Sequence, residues 1–269
     1  MKILFIGDIV GHPGRQAVRE TLPEVVAEHA PDLILANGEN AAAGFGITPA
    51  LVDELLDLGI EVLTSGNHIW DRKEIVPYFA GHADGRLLRP ANFPDGSPGH
   101  GLYLGRTRAG VPYAVINLQG RVFMTSIDCP FRMADELLAS VAPEVKIRIV
   151  DVHAEATSEK IALGWYLDGQ VTAVLGTHTH VPTADERVLP RGTAYITDLG
   201  MTGPYDSVIG RRYDRVLAAT MSFVHHSFDV ASGGPQFHAA RIEVDPATGR
   251  ALAIERVAIK QEDLPQLLA

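Results

Sequence analysis

KILFIGDIVG (residues 2–11) sets the reading of this chain. Four apolar residues, Ile3 to Ile6, follow Lys2 and stop at Gly7. That run has the length of a buried strand and is too short for a core helix. A carboxylate, Asp8, comes immediately after the glycine. The same order, a β-rich apolar run and then polar chelating groups, returns in DLILANGEN (32–40), EVLTSGNH (61–68), KIRIVDVH (146–153) and VTAVLGTHTH (171–180). Five strands thus end in residues able to bind a cation: Asp8, Glu39-Asn40, Asn67-His68, His153 and His178-Thr179-His180. In open α/β sheets, ligands bind beyond the carboxyl ends of the strands. If these strands run parallel, five separated pieces of sequence meet at one site.

Working outward, further strands are expected at YAVINL (113–118) and AYIT (194–197). Helices are expected between them. Residues 15–29 carry Val18, Leu22, Val25, Val26 and His29 at helical spacing. Residues 48–58 open on Thr48-Pro49, a capping residue and a first-turn proline, and stop at Gly59. Residues 155–168 are good helix formers and stop at Gly169. Strand–helix–strand alternation predicts an α/β fold with crossover connections. Near the end, ARIEVD and ALAIERVAIK alternate apolar and polar residues around the turn PATG, which predicts a half-exposed antiparallel hairpin. Residues 90–110 and 199–214 are rich in Gly and Pro and read as long loops, the second running into a helix. No stretch resembles a linker, so residues 1–269 are read as a single domain.

Composition narrows the function. Lys and Arg number 23 against 33 Asp and Glu, a net charge of −10, which argues against a broad basic face for duplex DNA or an anionic membrane. A small anionic substrate stays open if the site itself supplies positive charge. The one cysteine, Cys129, excludes an intrachain disulfide and a thiolate metal cluster, and points to a reducing compartment. No apolar stretch approaches a signal-peptide core or a membrane span, so a cytoplasmic protein is expected.

Each polar piece has a plain alternative. Asp8 could cap the following helix, Gly38-Glu39-Asn40 could be a turn, and His153 could be a hydrogen-bonded structural histidine. His178 and His180 are more specific. At i and i+2 in extended backbone their rings would share one face, a common spacing for metal ligation. The combination decides. Two carboxylates, two amides and several imidazoles gathered at strand ends are costly without a counter-ion, and only Arg15 and Arg72 lie near these motifs in sequence. Carboxylate, imidazole and amide oxygen together suit zinc, manganese or iron. Seven candidate ligands (Asp8, Glu39, Asn40, Asn67, His153, His178, His180) exceed one tetrahedral centre. Two ions about 3.5–4 Å apart, sharing a carboxylate, are the economical solution.

The ordered set Asp8, Gly38-Glu39-Asn40, Gly66-Asn67-His68, His153 and Gly176-Thr-His178-Thr-His180 resembles the motifs of the calcineurin-like metallophosphoesterases. It departs from them twice. Their first motif, Asp-x-His, is here Asp8-Ile9-Val10, and Glu39 stands where a bridging Asp is usual. Both departures resemble the YmdB-like bacterial phosphodiesterase branch, as do NGENAAAGFGIT (37–48), GNHIWD (66–71), HAEATSEKIALGWYLDG (153–169) and the stretch 176–210.

The resemblance implies a four-layer α-β-β-α sandwich of two mixed sheets flanked by helices. It implies two metal ions, with iron expected and manganese the alternative, one held by Asp8, Glu39, Asn40 and His180 and the other by Glu39, Asn67, His153 and His178. Asn40 then replaces the missing first-motif imidazole. It implies hydrolysis of cyclic nucleotides, 2′,3′-cyclic ones above all, by a hydroxide between the ions attacking phosphorus, with His68 protonating the leaving ribose oxygen. RNA ends are a further conceivable substrate, and a homo-oligomer the expected assembly. The alternatives are a phosphomonoesterase or protein phosphatase using the same centre, and a non-catalytic nucleotide-binding regulator. A metallohydrolase for amides or lactones fits less well, because Val181-Pro182 follows the His-x-His pair. Glu155 is read as a helix N-terminal carboxylate or a group supporting a ligand. Thr179, Asn92, Arg121 and Phe123 lie in or near loops that could touch substrate. His225-His226 is not expected to form a shared site.

Overall fold

A computed structural model describes residues 1–81, 85–222, 224, 227–260 and 263. The reading of His225-His226 lies outside the described residues. Two mixed sheets carry the fold. In the first, β1 (Lys2–Ile6), β3 (Leu33–Asn37) and β4 (Val62–Thr64) run parallel. β12 (Pro235–Val244) lies antiparallel to β1, and it pairs in turn with β13 (Ala251–Lys260) and β11 (Met201–Pro204). A two-residue strand, β2 (Asp8–Ile9), sits parallel to β11. In the second sheet β6 (Pro112–Gln119), β7 (Ile147–His153), β8 (Ala173–Thr177) and β10 (Ala194–Ile196) are parallel. Antiparallel β5 (Leu102–Arg106) and β9 (Arg187–Val188) close its two edges.

Alternation along the strands builds the layers. Ile3 and Phe5 face one way and join Leu33, Leu35, Val115, Ile147, Ile149 and Leu175 in a buried cluster between the two sheets. Leu4 and Ile6 face the other way, onto Val18, Leu22 and Val25 of α1 (Gly11–His29) and Val52 and Leu55 of α2 (Pro49–Asp57). On the far sheet, Ile116, Val150, Val152 and Val174 pack on Ala134 of α3 (Pro130–Ser140) and on Leu163 and Leu167 of α4 (Thr157–Leu167). The result is the helix–sheet–sheet–helix sandwich expected from the resemblance. No helix among the described residues is long and apolar enough to cross a membrane.

Local departures from the sequence reading have physical causes. The first helix begins at Gly11 rather than 15, and Val26 lies on its exposed side while Ala17 and Thr21 complete the buried stripe. Thr48 occupies the N-cap position of α2 but its side chain makes no capping bond; Pro49 alone marks the start. The expected loops at 90–110 and 199–214 contain β5 and β11. β5 is an edge strand with Gly105 inside and Leu104 about half exposed, so it lacks the apolar run that identifies buried strands. β11 reads Met-Thr-Gly-Pro, and its glycine and proline hide it. The hairpin is longer than expected on its first strand, and its turn is closed by Asp245, whose carboxylate accepts from Ala247 N–H and the Thr248 hydroxyl.

Candidate metal centre and active site

All the chelating motifs lie at one end of the sandwich. Asp8 follows β1 through Gly7, Glu39-Asn40 follow β3, and Asn67-His68 follow β4, all from the first sheet. His153 is the last residue of β7, and His178 and His180 lie just beyond Thr177, the last of β8, all from the second. The parallel runs within each sheet bring the five pieces together. Asp8, Glu39, Asn40, His153 and His180 are buried.

His178 and His180 do not converge by extended alternation, as expected from sequence. Both have left-handed backbone, φ 95° and 66°. That conformation is uncommon for residues with a Cβ. Its support is a buried ion pair: Lys160 Nζ lies 2.7 Å from Asp198 Oδ2, and the same carboxylate oxygen accepts from the Thr179 N–H (3.1 Å) and hydroxyl (2.6 Å). Thr179 thus holds the loop, and it also lines the groove.

The donor atoms fall into two groups. Around His153 Nε2 stand Glu39 Oε1 at 3.0 Å, Asn67 Oδ1 at 3.1 Å and His178 Nδ1 at 3.0 Å. Among the described residues, Glu39, His153 and His178 each offer one ligand atom within 4.8 Å of the others. In the second group, His180 Nε2 lies 3.2 Å from Asn40 Oδ1 and 3.9 Å from Asp8 Oδ1. Asn40 spends its amide nitrogen on Gly44 O (3.0 Å), which turns its oxygen toward His180. The other nitrogen of His180, Nδ1, faces Ile209 O at 2.9 Å and so carries the proton, leaving Nε2 with a lone pair for the basin. His178 Nε2 lies 3.2 Å from Glu155 Oε2, so Glu155 orients a candidate ligand; it is a support to the cluster rather than only a helix-end charge. Asp8 lies between the groups, accepting the His178 N–H on both oxygens at 3.3 Å.

Val10, at the position of the missing imidazole, is buried against Gly203 and Gly210 and contributes packing only. Neither arginine near the motifs neutralises the carboxylates. Arg15 donates to Ala41 O and Arg72 to Phe45 O and Ala42 O. Arg211, which the sequence reading missed, donates to Gly44 O and lies over the Phe45 ring, 3.6 Å from its centroid. Three guanidiniums thus brace the loop after Asn40 through its carbonyls.

The electrostatics register an excess of buried negative charge. Burial drives Asp8 well above the usual carboxylate range. Burial also works to raise Glu39, but the imidazole of His153 beside it carries it down to about 2. His153 is raised: burial would lower it, and Glu39 and Asp8 outweigh that. His178 is pushed down to about 3 by burial and by His153, which leaves it a neutral donor at neutral pH. With no Lys or Arg on Asp8 or Glu39 among the described residues, imidazoles offset them, His153 foremost, with His68 and His178 adding to it at Glu39. This is the pattern of a site built for cations.

The cluster floors a groove of about 480 Å³. Glu39, Asn40, His68, His178 and His180 form its polar side, and Phe45, Val208, Ile209, Val216 and Phe228 an apolar wall. His68 Nδ1 lies 2.9 Å from Asp71 Oδ2 and its ring packs edge-on against Phe45 (4.9 Å), so Nε2 is the nitrogen available to the groove. The loop residues do not reach this floor. Asn92 is buried, with its amide pinned to Gln119 and Asp128. Arg121 reaches Cys129 Sγ (3.5 Å), and Phe123 is 90% exposed outside the groove lining.

Comparison with known proteins agrees with this geometry. The family model described as "YmdB-like protein" matches residues 4–257. The 2′,3′-cyclic-nucleotide 2′-phosphodiesterase of Bacillus subtilis (strain 168) is 47% identical over 264 residues, covering 98% of this chain and 99% of the relative. The crystal structure of a novel phosphatase from Mycoplasma pneumoniae superposes with TM-score 0.91 at 32% identity, covering 100% of this chain and 96% of the other. A calcineurin-like phosphoesterase of Bacillus subtilis, YfkN, gives TM-score 0.58 at 10% identity, covering 100% and 95%; it bears on architecture alone.

Proposed function

Because this chain belongs to the YmdB-like family, we propose that its basin is the active site of a metal-dependent phosphodiesterase hydrolysing 2′,3′-cyclic nucleotides. One observation carries the reading: His153 Nε2 faces a carboxylate oxygen, an amide oxygen and another imidazole nitrogen at 3.0–3.1 Å. A single proton satisfies only one of these contacts, whereas a cation satisfies all of them. We infer two cations. Glu39, Asn67, His153 and His178 would hold one; Asp8, Asn40 and His180, with Glu39 shared, would hold the other. The amide oxygens of Asn40 and Asn67 are hard donors, which favours iron, with manganese the alternative.

When bound, two such cations supply Lewis-acid charge for the phosphoryl oxygens and an activated water as nucleophile. The chain's own residues do the rest. The apolar wall of Phe45, Val208, Ile209, Val216 and Phe228 suits the base and ribose, and orients the phosphate to the polar floor. His68, oriented by Asp71, delivers a proton from Nε2 to the leaving ribose oxygen. Cyclic-phosphate RNA ends carry the same reacting group. A reducing cytoplasm and a homo-oligomeric assembly complete the reading.

The test uses one preparation whose metal content is measured. It is assayed against a 2′,3′-cyclic nucleotide, a 3′,5′-cyclic nucleotide and a phosphomonoester, with light scattering for the assembly. Two metal equivalents and the highest kcat/KM on the 2′,3′-cyclic nucleotide are expected. A preference for the monoester would make the protein a phosphatase. A metal-loaded protein inactive on all three would make it a nucleotide-binding regulator.

A further inference from the structure

The polar network beneath the cluster is not explained by ligation itself. Asp151 lies within KIRIVDV, a strand buried on both faces, yet it has no Lys or Arg partner among the described residues. Its Oδ2 accepts from the Asn37 amide N–H (3.0 Å) and the Thr64 hydroxyl (2.5 Å), and its Oδ1 faces the Thr177 hydroxyl at 2.8 Å. Thr177 Oγ1 lies in turn 2.9 Å from His153 Nδ1. Thr177 and His153 are cross-strand partners in the β7–β8 ladder, so hydroxyl and ring nitrogen meet on one face. Asn37, Thr64, Asp151, Thr177 and His153 are all fully buried, and they end or lie on strands of both sheets.

A hydroxyl has one hydrogen to give. The Asp151 carboxylate is the strongest acceptor in reach, so the Thr177 hydrogen is directed to it. The Asn37 N–H that also approaches Thr177 Oγ1, at 3.4 Å, can only donate. The Thr177 oxygen is therefore left to accept, and the group it accepts from is His153 Nδ1–H. We propose that Thr177, polarised by Asp151, is a positioning residue that locks the proton of His153 on Nδ1 and so keeps the Nε2 lone pair turned to the cation. The proposal rests on the metal-centre reading above. It adds that one of the two cation sites is set by a hydroxyl that touches neither metal nor substrate. Groups that orient a ligating imidazole typically change metal affinity about 10–100-fold when removed.

The experiment compares wild type, Thr177→Val and Thr177→Ser, stripped of metal and titrated with Mn²⁺ by calorimetry. Valine matches threonine in shape and lacks the hydroxyl; serine restores it. Wild type should take up two equivalents. Thr177→Val should keep the equivalent held by Asp8, Asn40 and His180 and weaken the other about 10–100-fold, with Thr177→Ser close to wild type. Two equivalents at wild-type affinity in Thr177→Val would overturn the proposal and leave the metal centre standing. Equal loss of both, with a fall in melting temperature that serine does not rescue, would assign Thr177 a structural role only. No uptake by wild type would overturn the metal centre and this proposal together. Should the valine variant not fold, ¹⁵N–¹H correlation on Zn²⁺-loaded wild type decides. A slowly exchanging proton on His153 Nδ1 is expected, and a Nδ1 without one overturns the proposal.

Discussion

His68 is the side chain at which metal binding and turnover can be told apart. Its backbone N–H donates to Glu39 Oε2 (3.2 Å), while its ring is held at Nδ1 by Asp71 and lines the groove. Replacing His68 by Ala should leave the metal stoichiometry unchanged and lower kcat by about 10²–10⁴, the usual contribution of a positioned acid. Metal analysis beside steady-state kinetics checks both halves; loss of one ion from the variant would make the ring a ligand. At this scale much of the site was readable from sequence, because a carboxylate, amide or imidazole directly after an apolar run is conspicuous. Extended alternation, expected for His178 and His180, is not what directs them into the site. Their shared direction comes from left-handed backbone held by Thr179 and Asp198, and that support lies 19 residues downstream. Asp151 did leave a signal, a carboxylate inside a strand too apolar to face water. Its partners, up to 114 residues away, did not.

The segment after β4 is where backbone, not side chain, sets the geometry. A Cβ on Gly66 would lie 2.1 Å from His153 Cδ2, 2.2 Å from its Nε2 and 2.4 Å from Glu39 Oε2. Real Cβ contacts are never that close, so in Gly66→Ala both ligands must retreat. Overpacking of this kind costs about 1–3 kcal/mol, and here it falls on the donor cluster rather than on the apolar core. The expected outcome is a folded protein with metal affinity reduced at least about tenfold, since a small displacement of a ligand loses its bond. Circular dichroism and Mn²⁺ titration measure it, and uptake equal to wild type would show that the segment can shift freely. From sequence, Gly66 reads only as the first residue of the Gly66-Asn67-His68 motif, with no reason in the pattern for a glycine there. Its need is visible once β4 and β7, from different sheets, are brought face to face. The same limit explains β5 and β11: edge strands and strands broken by glycine or proline are defined by the neighbour they pair with, not by their own pattern.

Across the whole molecule the donor set is divided between the sheets. Asp8, Glu39, Asn40 and Asn67 come from the first, and His153, His178 and His180 from the second. Beneath them, Asn37 and Thr64 of the first sheet bond Asp151 of the second, and Ile3, Phe5 and Leu35 interleave with Val115, Ile149 and Leu175. Two sheets joined by a shared apolar interior and a polar floor should melt as one unit, and on that basis we infer a single domain over residues 1–269. Cations that bind between the sheets bind only the folded chain, so they stabilise it by mass action. At a free concentration about 100 times the dissociation constant, one site contributes about 2.7 kcal/mol. For a domain of this size each kcal/mol raises the melting temperature by about 2–4 °C. With both sites filled, scanning calorimetry with Mn²⁺ and with a chelator should therefore show one transition in each case, displaced upward by about 10–20 °C when metal is present. Two transitions, of which only one follows the metal, would mean that the sheets unfold separately and that the donors of one sheet suffice for the ion. That result would remove the argument that folding itself assembles the site.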